Sequence, residues 1–371
     1  MGKQNGSLFD DVPYQNGGAE GLPLVTDRAS DRVLVHTPGH LYTPSPVEVD
    51  RIGKAAGPGA LIETERKFIA NLIRHLDPYH AQSEEVSKRI PAAIKRGQRE
   101  YYLLRNLDRS PDGTRLRLAG EDWFYPDFIF WIIDKATQPE TQRLCYLDPK
   151  GLEMGMRGGW NHHKVLCFAY KLVEIASQFQ NTGNRNGQPV RFILKGAFIS
   201  TTRREELERT TAGSQEFHVY DDAGRKVFPG CDDFAKGGIF FAERTNHIEQ
   251  LMTYLLAGES LLGQVMRRAA TAANLPEDTL PDDEIGCFFR YLLLRNANSP
   301  SAALGELVRY TLTAGDPNHV IDRVQRQSRK ELLPYLHKGV IHKLTGGMED
   351  VEHIARPCRE LLQRCRLQSA M

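Results

Sequence analysis

Two short blocks hold the residues best suited to chemistry: Pro126-Asp127 and, about twenty residues later, Asp148-Pro149-Lys150. Two carboxylates and a lysine in this order suit phosphodiester hydrolysis. The scissile phosphate is negative, the attacking water is a weak nucleophile, and the leaving alkoxide must be stabilised. One or two Mg²⁺ ions held by carboxylates meet all three needs, and Mn²⁺ is an acceptable substitute. A lysine beside them adds a point charge that orients the water or stabilises the pentacoordinate phosphate. Asp127 and Asp148 are the expected metal ligands, the carbonyl of Pro149 a further one, and Lys150 the catalytic cation.

Local structure must bring these groups together. In a strand alternate residues share a face, so Asp148 and Lys150 point the same way as Leu144 and Tyr146, while Cys145, Leu147 and Pro149 point oppositely. Pairing with a neighbouring strand would bring Asp127 alongside. Asp127 opens the run Phe128-Ile129-Phe130-Trp131-Ile132-Ile133, apolar on both faces and so expected to be a central strand. A carboxylate at the edge of such a run needs a metal or a charged partner to offset desolvation. The plainer alternative is that Asp127 caps a turn after Pro126 and Lys150 caps a strand end. A helical wheel over the preceding segment puts Glu65 on the apolar stripe of Phe68, Ile69, Leu72 and Leu76, with Glu63 almost opposite. Glu65 is therefore expected as a third metal-site acid, against an ion pair with a buried Arg or Lys. Glu63 is assigned to solvent.

The elements that would position these residues alternate. Residues 1–58 are rich in Gly, Pro, Asp and Asn and read as an extended or partly disordered arm, with a short strand at 32–36. A helix is expected over 60–75 and a more polar one over 83–95. Strand-like runs follow at 101–107, 125–133 and 143–148, then a helix over 162–179 and a strand over 190–200. That order implies an α/β fold with a central mixed sheet flanked by helices. Thr202-Arg203-Arg204-Glu205 has the form of a helix capping box. A smaller strand-and-turn region follows, then a helix at 249–256. Beyond residue 259 strand signals vanish, and helices are expected at 261–273, 284–294, 302–312, 320–335 and 352–367. The division is an arm (1–58), a catalytic α/β domain (59–256) and an all-α C-terminal domain (257–371).

The blocks Tyr102-Leu103-Leu104-Arg105-Asn106-Leu107, Phe124-Tyr125-Pro126-Asp127-Phe128-Ile129 and Leu147-Asp148-Pro149-Lys150-Gly151-Leu152 stand in this order. Together they resemble the C-terminal endonuclease domain of type III restriction subunits and related helicase-nucleases, members of the PD-(D/E)XK nucleases. The resemblance covers about residues 61–256. It implies a restriction-endonuclease-like α-β-β-β-α-β core, Mg²⁺ dependence and DNA cleavage. Its metal acids would fall on Asp127 and Asp148, its lysine on Lys150 and its helix acid on Glu65. Type III subunits carry a helicase motor in the same chain, and no Gly-x-x-x-x-Gly-Lys-Ser/Thr phosphate loop occurs here. Coupling to translocation would need an ATPase or helicase partner in trans.

Other residues have weaker claims. Arg105 and Asn106 follow a strand and could touch DNA phosphate, brace the acids or form a strand-end salt bridge. His162 opens the helix after the lysine strand, within reach of a phosphate or of its own helix backbone. Arg203 and Arg204 start a helix past a strand end, as phosphate contacts or as a solvated first turn. Trp160, beside the glycines between 155 and 159, reads as part of a loop near the site, facing DNA if it has a role.

The 371 residues carry 48 basic and 47 acidic side chains, for a net charge of +1. Any nucleic-acid partner must therefore meet a local patch rather than a globally basic surface. No run of about 18 apolar residues suggests a membrane span, and the N-terminus lacks a signal-peptide pattern. The six cysteines form no close pair, which argues against structural zinc and for reduced thiols in the cytoplasm. The reading is a Mg²⁺-dependent DNA endonuclease, one subunit of a prokaryotic restriction or phage-defence assembly. Cutting both strands favours a homodimer. The alternatives are a catalytically silent nucleic-acid-binding or assembly module of the same fold, or a nuclease acting on RNA.

Overall fold

The run after Asp127 forms a strand because its branched and aromatic side chains can be buried on both faces of a sheet. In the computed structural model β6 (Phe128–Asp134) lies between two antiparallel neighbours and is buried at every position but Trp131. The structure describes, with short gaps, residues 62–76, 94–106, 114–178, 182–211, 216–275 and 281–323, with three two-residue strands before them. Of these, β1 (Thr26–Asp27) pairs with β2 (Arg32–Val33), and β3 (Leu41–Tyr42) joins the main sheet. The rest of the N-terminal arm, and the helix expected over 352–367, lie outside the described residues.

Helix α1 (Glu63–Leu76) precedes β4 (Ile94–Arg96) and β5 (Arg99–Arg105). Ile94 and Lys95, expected at the end of a helix, instead pair antiparallel with Tyr101 and Glu100. The remainder of that helix lies outside the described residues. After β6 come β7 (Glu140–Lys150), helix α2 (His163–Leu166), a π turn (Cys167–Lys171) and helix α3 (Leu172–Gln178). Then follow β8 (Thr182–Arg185) and β9 (Gln188–Ser200). Strands β7 and β9 run parallel over the whole of β7, and the α2–α3 segment is the crossover that a parallel pair requires.

The chain continues through α4 (Arg204–Thr211), the small hairpin β10 (Val219–Tyr220) and β11 (Lys226–Val227), α5 (Cys231–Lys236), β12 (Ile239–Phe241) and α6 (His247–Leu256). Helices α7 (Leu261–Ala273), α8 (Glu284–Arg295) and α9 (Pro300–Leu312) complete it. The mixed sheet has the order β12-β9-β7-β6-β5-β3, with β4 on β5 and β8 on β9. The capping box expected at Thr202 does not form. Helix α4 begins at Arg204, and the Thr202 hydroxyl instead accepts the Leu152 N–H at 3.0 Å.

Two apolar clusters sandwich the sheet. On one face the α1 stripe of Phe68, Ile69, Leu72 and Leu76 packs with α6 against Phe128, Phe130, Cys145 and Leu147. On the other, α2, the π turn and α3 pack with Phe124 and Phe198, and Tyr146 lies against them. Helices α7, α8 and α9 add Leu262, Val265, Phe288 and Leu307 to this second cluster. The C-terminal helices thus share a core with the sheet.

Candidate active site

Register brings the two aspartates together. Phe128 on β6 pairs with Leu147 on β7, so the next position outward sets Asp127 opposite Asp148. Directly opposed residues on one face of an antiparallel pair hold their Cβ atoms about 4.5–5.5 Å apart. Phe128 and Leu147 belong to the cluster under α1, and Tyr146 to the one under α2. Alternation then turns Asp127, Asp148 and Lys150 toward the α2 face. The expected convergence of these three is what the sheet provides. Pro149 lies between Asp148 and Lys150, in register with Ile199 of β9.

Asp148 is wholly buried, and neither of its carboxylate oxygens has a hydrogen bond. Its near cation is the Lys150 ammonium at 3.7 Å, beyond hydrogen-bond length. Leaving a buried carboxylate unbonded is costly, and such a group calls for a partner such as a cation, a substrate group or water. Burial pushes the Lys150 pKa down, but the charges of Asp148 and Asp127 prevail and hold it above its usual value.

Lys164 is the member that sequence reasoning missed. It stands in the first turn of α2, beside Lys150 and within the field of both Asp148 and Asp127. Burial, followed by repulsion from Lys150, holds its pKa below the usual lysine value. One signal was available. A lysine in a helix's first turn faces the positive end of the helix dipole, where anions are preferred, so its place there needs a reason.

His162 is the N-cap of α2. Its Nδ1 accepts the Lys164 N–H at 3.2 Å, and its ring stacks on His163 with centroids 4.5 Å apart. Burial, then the charges of His163, Lys164 and Lys150, push its pKa down to about 4. The imidazole is therefore neutral at pH 7, a backbone cap rather than a phosphate-binding cation. A folded-state pKa below the usual 6.5 gives stability that is complete above 6.5 and lost as pH falls toward 4. His162→Gln should narrow the gap between melting temperatures at pH 7 and pH 5. An unchanged gap would contradict this assignment.

The remaining sequence candidates are placed differently. Asn106, expected among the nucleic-acid contacts, is buried and braces the aspartate turn. Its Nδ2 donates to the carbonyls of Pro126 (2.7 Å) and Thr114 (2.8 Å), and its Oδ1 accepts the Thr114 N–H at 2.8 Å. Its own N–H donates to the Asp127 carbonyl at 2.9 Å. Arg105 pairs with Phe128 through the β5–β6 register, and its side chain lies outside the described residues. Arg204, expected at phosphate, donates to the Pro229 carbonyl and Glu208 and covers the Phe228 ring. Arg203 is exposed and 3.5 Å from Glu243. Trp160 is fully buried, its indole N–H donating to the Phe217 carbonyl at 2.9 Å, so it is core and not a DNA-facing loop.

Glu65 is buried on α1, and its carboxylate accepts the Ile62 N–H at 2.9 Å. That helix packs on the sheet face opposite Asp148. Among the described residues no group of three or more His, Cys, Asp or Glu is gathered closely enough to hold a metal ion. Glu65 is therefore not brought into one cluster with Asp127 and Asp148. Glu63 pairs with Lys67 at the surface, as its place on the wheel implied. No family model, curated protein or solved structure matches this chain.

Proposed function

We propose that this chain is a metal-dependent DNA endonuclease of the PD-(D/E)XK type. The observation that carries the reading is the buried Asp148 carboxylate, unbonded on both oxygens, with Asp127 opposite it in register and two lysines beside it. An orphaned carboxylate facing a second acid fits a divalent cation. Asp127 and Asp148 would hold it, with the Pro149 carbonyl as a further donor. Bound there, Mg²⁺ or Mn²⁺ supplies Lewis acidity and lowers the pKa of a coordinated water. Lys150 orients the attacking water and offsets charge building on the phosphoryl oxygens. Lys164, beside Lys150, holds a second positive charge over the same phosphate. Asn106 keeps the Pro126–Asp127 turn in place, and Glu65 serves α1.

The succession α1, β5–β6–β7, α2–α3, β9 supports the reading, since it is the order of elements that a restriction-endonuclease-like core requires. The same chemistry would act on RNA, and a nuclease without its own phosphate loop would take any translocation from an ATPase partner.

Supercoiled plasmid, linear duplex, single-stranded DNA and RNA should be incubated with the protein in Mg²⁺ or EDTA, beside Asp127→Ala and Lys150→Ala. Cleavage of DNA that needs Mg²⁺ is expected, and each variant should lose at least about a hundredfold. Cleavage that persists in both variants, or survives EDTA, would reject the assignment.

A further inference from the structure

The chain folds back on itself just before Asp127. Leu116 and Phe124 form an antiparallel bridge, each N–H donating to the other's carbonyl at 2.8 Å. Alternation sorts the side chains around it. Leu116, Leu118 and Phe124 enter the core, while Arg115, Arg117 and Trp123 are exposed. The Arg115 guanidinium lies 4.3 Å from the centre of the Trp123 ring and that of Arg117 5.4 Å. Trp123 is 45% exposed, in contrast to the fully buried Trp160.

This bridged turn has a fixed place relative to the candidate active site. Asn106 binds Thr114 at its base and the Pro126 and Asp127 carbonyls at its end. Phe124, next to Trp123 in sequence, lies with its ring centre 5.2 Å from the Lys164 ammonium. One side of the turn thus borders the lysine pair, and the other shows a partly exposed indole carrying two guanidiniums.

We propose that Arg115, Arg117 and Trp123 form a contact surface for an unpaired stretch of nucleic acid leading to the active site, a proposal that rests on the nuclease reading above. An exposed indole offers a face on which any base can stack, and guanidiniums bind phosphate oxygens in a planar fork. Resting those guanidiniums on the indole holds them ready and keeps their charge at the surface. Bases inside a duplex hide their faces, so the complement of this surface is a single strand, or the frayed end of a duplex. Glu121 and Asp122 lie on the same turn toward His163, which confines the positive edge to the Arg115–Arg117 side.

The test is binding of the full chain, in EDTA, to fluorescein-labelled oligo-dT, an oligo-U RNA and a blunt duplex. Fluorescence anisotropy reads affinity, and quenching of tryptophan emission reads the contact. Single strands should bind more tightly than the duplex and quench the emission. Trp123→Ala should weaken binding on the order of tenfold, and Trp123→Phe should restore most of it while removing the quench. Arg115→Ala with Arg117→Ala should flatten the dependence of log affinity on log salt by about 1.4, at about 0.7 per phosphate contact on a single strand. All three side chains are exposed, so melting temperatures should be unchanged. Comparing the DNA and RNA arms identifies the strand. Variants that bind like the parent, or a preference for duplex, would overturn the proposal. Binding is read without metal or turnover. A chain that binds through Trp123 yet neither cleaves nor is stabilised by divalent metal refutes the nuclease reading alone, and one that cleaves with Trp123 irrelevant refutes this surface.

Discussion

Asp148→Asn is expected to lower cleavage by at least about a thousandfold without lowering the melting temperature. The two halves have one cause. In the protein alone the Asp148 carboxylate is buried with no hydrogen bond, its desolvation offset by the Lys150 ammonium at 3.7 Å. Asparagine keeps the shape and removes the charge. Lys150 loses its partner, but its side chain is 36% exposed and can turn to water. Wild-type cleavage by this variant would contradict the assignment. A fall of many degrees in melting temperature would show that Asp148 is structural instead.

Gly159→Ala is expected to destabilise the chain by about 4 kcal/mol or more, in the range reached by few single substitutions. Gly159 has φ +54°, in the left-handed region, and a Cβ there would stand 2.1 Å from the Glu216 carbonyl oxygen and 2.3 Å from its carbon. Both are backbone atoms, so no rotamer change relieves the overlap. The next residue, Trp160, is fully buried between Phe217 and Phe234, with its indole N–H on the Phe217 carbonyl. Backbone movement at 159 would drag that ring out of register. It would also shift the start of α2, and with it His162 and Lys164, so activity should fall even where the chain stays folded. Denaturant unfolding measures the loss; a change under about 1 kcal/mol would show that the Glu216 segment gives way freely.

The strands that carry the acids were the most legible part of the sequence, because burial on both faces demands the aromatic and branched residues that mark them. The run after Asp127 and the segment ending at Lys150 both emerged, though β7 begins at Glu140, three residues before its apolar pattern does. Helix α7 matched its expected limits, since Ser260 caps it through the Gly263 N–H and its buried stripe runs to Ala272. Strand β12 escaped notice at three residues, and so did its parallel pairing with β9, which no local pattern encodes. The capping box at Thr202 failed because a partner fifty residues away, the Leu152 N–H, holds that hydroxyl. Asn106 could be seen as a brace or a phosphate contact, and only its burial decides between them. Lys164 was hidden for a related reason, since nothing local shows that the start of α2 faces the end of β7. Trp160 was misread because neighbouring glycines suggested a loose loop, whereas two of them take positive φ to seat the ring in the core.

Asp148, with Asp127, is expected to hold a divalent cation. A ligand that binds the folded state alone raises its stability as its concentration passes the dissociation constant, by about 2.7 kcal/mol at a hundred times that value. Melting temperature should be followed while Mg²⁺, Mn²⁺ or Ca²⁺ is added to the wild-type chain, Asp148→Asn and Asp127→Asn. A saturable rise is expected in the wild type, and none in Asp148→Asn. A wild-type melting temperature that does not move with metal, or an equal rise in Asp148→Asn, would contradict the claim.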